Sequence, residues 1–116
     1  MKNSDDRRRH YLKDPLPIRL GGLASNLERI SSLARSDICI PALNELFEES
    51  CYFIEWTAAD AEPEIAAELV HIQLMLGLWH KAWPDAQQHK TQRTILYIQA
   101  KKWSEQVLDY SGLLDR

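Results

Sequence analysis

The 116-residue chain has two cysteines, four glycines and no run of apolar residues long enough to span a bilayer. Between residues 36 and 80 it also has no lysine or arginine. Each shortage closes a class of explanation. Cys39 and Cys51 fall within one predicted helix, where twelve residues at about 1.5 Å rise put them roughly 18 Å apart, well beyond disulfide reach. The same gap fits no zinc motif, so two small buried or half-buried thiols are expected. The most apolar stretch, Leu69 to Trp79, is too short for a membrane span and contains His71 and Gln73. Arg7-Arg8-Arg9 is followed by His10, Lys13 and Asp14 rather than by an apolar run, so a secretory signal is not expected and the cytoplasm is the default location. Gly21-Gly22 lacks the Gly, Lys and Ser/Thr neighbours of a phosphate loop, and Ser31-Ser32 has no neighbour that would activate a nucleophile.

What is present is an uneven charge layout and a regular apolar spacing. The formal net charge of −3 conceals a first third with eight bases and four acids. Residues 36–80 then carry nine acids and no base, and residues 81–116 carry six bases and four acids. Residues 1–14 are polar and charged and are expected to form a flexible tail. Residues 15–116 are expected to form one domain, with Pro15 and Pro17 marking its entry.

From there apolar residues recur at alternating intervals of four and three. Leu16, Leu20, Leu23, Leu27, Ile30 and Ala34 make one seam, Ile65, Leu69, Ile72, Leu76, Trp79 and Trp83 a second, and Leu96, Ala100, Trp103, Val107, Tyr110 and Leu114 a third. Ile40, Leu43, Phe47 and Ile54, with Leu46 and Phe53 beside them, make a wider stripe. Ser36 or Asp37 can cap the helix that carries it, with Pro41 in its first turn. Pro63 suits a first helical position, and Asp85, after Pro84, can open the last helix. No period-two run reaches strand length, so the reading is all-α: a four-helix up-and-down antiparallel bundle with a flexible N-terminal tail. The Gly21-Gly22 pair costs about 1 kcal/mol per glycine inside a helix, which leaves open a first helix starting only at Gly22 or Leu23.

The helix that begins near Pro63 has more apolar surface than one seam explains. Val70, Leu74 and Leu78 lie opposite its core residues, with Gly77 among them, and Ile95 and Ile98 extend outside the seam of the next helix. Either this helix is covered on both sides or the second stripe is a subunit face. The second alternative makes the protein a homodimer, with Gly77 allowing close helix approach. Glu45, Glu48 and Glu49, three and four apart, form an acidic face that suits a basic protein partner unless Arg29, Arg35, Lys101 or Lys102 balance it internally. Trp56 and Trp103 are expected near one level of the bundle, where they would line an aromatic pocket for a small ligand or a catalytic site. Arg7-Arg8-Arg9 with His10 offers a weak nucleic-acid contact, without an interleaved aromatic platform or an arginine-rich recognition helix.

Metal chemistry has little to work with. Glu68 and His71 show Glu-x-x-His spacing, but helical di-metal sites use two such motifs and two further carboxylates. Here only Glu28 and Glu105 are available on the neighbouring helices, off their seams. His71, His80 and His89 are spaced by nine, half a turn out of register. No cofactor and no catalytic residues are expected.

The segment from Leu16-Pro17-Ile18-Arg19-Leu20-Gly21-Gly22 to Leu27 resembles small cyanobacterial proteins of uncharacterised function. So does Glu48-Glu49-Ser50 together with Phe53-Ile54-Glu55-Trp56-Thr57-Ala58. The resemblance covers about half the chain. It implies a bacterial cytoplasmic protein and carries over no activity and no site residue. The function expected is a non-enzymatic interaction or regulatory module acting as a homodimer.

Overall fold

A computed structural model describes residues 2–36 and 41–114, with side chains from residue 5 onward. Among these residues the structure has five helices and no strand: α1 (Lys2–Leu12), α2 (Leu16–Ala34), α3 (Ala42–Ala58), α4 (Pro63–Ala86) and α5 (Lys90–Ser111). The all-α expectation is met. The expected count of four is corrected to five, because residues 2–12, expected as part of a flexible tail, are helical. The α1 sequence supports this locally. Asp5 lies in its first turn and Arg9 and His10 in its last, the arrangement the helix dipole favours, and Asp6 pairs with Arg9 one turn on.

Polar pairings set the direction of each helix against the next. Ser31 Oγ donates to the Tyr97 carbonyl at 2.8 Å and Ser104 Oγ to the Ala24 carbonyl at 2.8 Å, so α2 and α5 run antiparallel. Arg19 meets the Trp56 carbonyl and Asp60, and Asn26 meets Glu49, which makes α2 antiparallel to α3. Gln73 Nε2 donates to the Cys51 carbonyl at 3.0 Å, while His80 stacks on Phe47, giving the same sense for α3 and α4. Trp79 Nε1 to Gln99 at 2.8 Å and Gln106 Nε2 to Glu68 at 3.1 Å do so for α4 and α5. The closest packing is α2 on α5 and the sparsest of these four is α4 on α5. Ala24, Ser31, Ala34, Ala100 and Ser104 explain the first: small side chains let the helices approach until a seryl hydroxyl reaches the facing carbonyl.

The seams read from spacing become the core. Leu20, Leu23, Leu27 and Ile30 of α2, Leu43, Phe47 and Ile54 of α3, Leu69, Ile72 and Leu76 of α4, and Leu96 and Val107 of α5 are all 2% exposed or less. The molecule measures 38 × 37 × 21 Å, and the short dimension is two helix layers at about 10 Å each.

Three boundaries differ from expectation or settle it. α2 begins at Leu16 and runs through both glycines. At Gly21 a side chain would meet Leu113 Cδ1 at 2.8 Å, so the missing Cβ makes room for the end of the chain. α4 continues through Pro84 to Ala86, so Asp85 does not open α5; His89 occupies that cap position instead. Proline is tolerated there because only the last turn loses a donor, and Gln87 N bonds back to the Trp83 carbonyl at 2.9 Å. Pro41 stands at the cap position of α3. Asp37, Cys39 and Ile40 lie outside the described residues.

Candidate functional site

Two surfaces stand out: an apolar face on α4 and an aromatic shelf on α3. On α4 the core residues Leu69, Ile72, Leu76 and Trp83 leave the opposite side of the helix to solvent. Val70, Leu74 and Leu78 there are 50%, 62% and 56% exposed. Gly77 sits among them in open space. Across the sparse α4–α5 contact, Ile95 and Ile98 add 40% and 47% exposed isoleucines. Between the helices lies a groove of about 240 Å³ lined by Met75, Leu78, Trp79 and Ala82 on one side and Gln92 and Gln99 on the other. Covering each half-exposed aliphatic side chain is worth about 1 kcal/mol at the usual area coefficient. Scattered exposed leucines are ordinary, whereas Val70, Leu74 and Leu78 follow one another along one face of a single helix. His71 is exposed on the same side of α4.

The aromatic shelf is built from α3 and covered by α1. Tyr11 stacks on Phe53 with ring centroids 4.3 Å apart at 14°, and lies 5.7 Å from Trp56, which in turn stacks on Tyr52 at 5.4 Å. The Tyr11 hydroxyl donates to the Arg19 carbonyl at 3.0 Å, so the Thr57 hydroxyl, 2.9 Å away, donates to it. Burial pushes the Tyr11 phenol above its ordinary range, with the Thr57 bond and the Arg19 charge pulling the other way. Arg19 is itself buried, its guanidinium donating to the Asp14 carbonyl at 3.0 Å and pairing with Asp60 at 3.0 Å. Residues 5–10 of α1 are exposed and Leu12 is half-buried; among the described side chains, Tyr11 against Phe53 and Trp56 and the ion pair of Arg7 with Glu49 tie this helix to α3.

That ion pair bears on the acidic face. Glu45 and Glu48 are exposed, while Glu49 is half-buried between Arg7 and the Asn26 amide, 2.9 Å away. The internal cation is therefore Arg7, from the segment expected to be a tail. Lys101 pairs with Glu28 and Arg35 lies over the Tyr97 ring. Arg7 lies outside the four long helices, so their apolar spacing does not point to it.

Trp56 and Trp103 are both 9% exposed. Trp56 belongs to the α1–α3 shelf, with Tyr11, Tyr52 and Phe53 as ring partners, and Trp103 to the core-facing side of α5. A cavity of about 390 Å³ beside the shelf is lined by Asp6, Arg7, His10, Tyr11, Asp14, Glu49 and Phe53, not by the tryptophans. The Cys51 thiol, 3.8 Å from the Gln73 carbonyl, is pushed up by burial and then by Glu48 and Glu55, which favours an unreactive thiol. Among the described residues no three His, Cys, Asp or Glu side chains cluster to hold a metal ion, and no helix is long and apolar enough to cross a membrane.

No protein-family model, curated protein or solved structure matches this chain.

Proposed function

We propose that the protein is a non-enzymatic interaction module that works as a cytoplasmic homodimer through α4, its four long helices forming an up-and-down bundle that presents this face. The observation that carries the reading is the contiguous exposure of Val70, Leu74 and Leu78, extended by Ile95 and Ile98. The fold spends a full core on the opposite side of α4, so this stripe is surplus to monomer stability. Acidic residues Glu45 and Glu48 are left free of the interface for a basic protein partner.

Light scattering tests the reading directly. The expected mass is twice the 13.5 kDa of one chain. Leu74→Glu is expected to yield a folded monomer with unchanged helical circular dichroism. A wild-type monomer at tens of micromolar would remove the proposal. Loss of helicity in Leu74→Glu would show that the stripe belongs to the core.

A further inference from the structure

Accepting that α4 is a subunit face, we infer that two copies pair α4 antiparallel on α4, about a two-fold axis passing between Ile72 and Gln73. The exposed residues Glu64, Ala67, His71, Leu74, Leu78 and Lys81 follow one another at intervals of three and four along α4. That is a heptad stripe, the pattern with which one helix seats on another at a shallow angle. The stripe is acidic at its start and basic near its end. Laid parallel, two copies would put Lys81 beside the partner's Lys81 and Glu64 beside the partner's Glu64. Laid antiparallel about the stated axis, Glu64 meets the partner's Lys81, and the symmetry makes that pair twice. The two helix dipoles then also oppose each other.

Shape agrees with charge in this register. Ala67 falls opposite the partner's Leu78, small against large, and His71 opposite the partner's Leu74. Val70 and Gly77 share the flanking position on the α3 side, so Val70 reaches the partner's Gly77, where a side chain is missing and the space is open. Asp85, one turn beyond Lys81, falls past the partner helix's first residue, Pro63, and opposes nothing on that helix. On the other flank Met75 and the α4–α5 groove remain beside the interface, and α5 carries the exposed Ile95 and Ile98. Register is set by the two charge pairs and the two small residues, while affinity comes from the leucines.

A charge swap tests the register separately from the interface. Sedimentation velocity over a concentration series is expected to show Glu64→Lys and Lys81→Glu each weakening the dimer about tenfold by placing like charges together twice. The double variant is expected to return to within about twofold of wild type. A double variant no better than the weaker single one would overturn the antiparallel register. If Leu74→Glu still gave a monomer, the interface would stand without it. A monomeric wild type would overturn both. Cysteine cross-linking gives an independent readout in a background with Cys39 and Cys51 replaced by serine. Mixed Ala67→Cys and Leu78→Cys chains are expected to cross-link to each other. Efficient cross-linking of Leu78→Cys to itself would show the parallel arrangement.

Discussion

Tyr11 is expected to be the residue on which α1 depends. It is 9% exposed, whereas residues 5–10 of the same helix face solvent. An isolated helix of eleven residues is marginal in water, so α1 persists only through what it docks on. Burial of the ring is worth about 2 kcal/mol, its stacking on Phe53 about 1 kcal/mol and its hydroxyl bonds about 1 kcal/mol net. Tyr11→Ala is therefore expected to cost about 4 kcal/mol, or about 16 °C in Tm at roughly 4 °C per kcal/mol for a chain of this size. Tyr11→Phe keeps the ring and leaves the Arg19 carbonyl and the Thr57 hydroxyl short of a partner, for about 1–2 kcal/mol. Thermal melts give the magnitudes, and amide hydrogen exchange shows where the loss falls. Exchange across residues 2–12 should rise to that of a free peptide in Tyr11→Ala while the α2–α5 core stays protected. Unchanged protection of α1 would refute the anchor, and a Tyr11→Phe cost equal to that of Tyr11→Ala would refute the assignment of most of the energy to the ring. The pH dependence has a definite sign. With its pKa raised in the folded state, Tyr11 keeps its proton where the unfolded chain loses it. Its contribution is present in full below about pH 10 and falls as pH rises through the folded value. Tyr11→Phe should flatten that alkaline loss.

Arg19→Met is expected to cost about 2–3 kcal/mol in denaturant melts, because the Asp14 and Trp56 carbonyls lose a buried donor. Asp60→Ala should cost under about 1 kcal/mol, since that carboxylate is half-exposed; equal losses would place the energy in the ion pair instead. Ser50 is fully buried with an Oγ that has no hydrogen-bond partner among the described residues, so Ser50→Ala should leave Tm unchanged or raise it by a few degrees. A drop of 1 kcal/mol or more would mean that the hydroxyl is satisfied.

The four long helices were legible because each buries one side and repeats it. Leu20, Leu23, Leu27 and Ile30, or Leu69, Ile72 and Leu76, announce their face by spacing alone. α1 carried no such signal. Among its described side chains only Tyr11 is fully buried, with Leu12 beside it half-buried, and neighbours in sequence make no periodicity; its acids before its bases were the remaining cue. Pro84 misled for a related reason. A proline marks a lost donor, and in the last turn of a helix that loss is small, so the residue alone does not locate the end. The exposed stripe of α4 was legible for the same reason as the cores. Arg7 against Glu49 was not, since a contact across forty-two residues leaves no mark in local spacing.

The tight pairing of α2 with α5 has a kinetic side. Ser104 reaches Ala24 across eighty residues of sequence, so the most extensive helix contact is also among the most distant along the chain. During synthesis at 5–20 residues per second, α2 waits roughly 4–16 s for the surface that covers it. Over that interval Leu20, Leu23, Leu27 and Ile30 have α3 for shelter, with the larger contact on α5 still to come. Folding of this helical protein is thereby tied to a late, non-local closure, slower than local helix contacts alone would require.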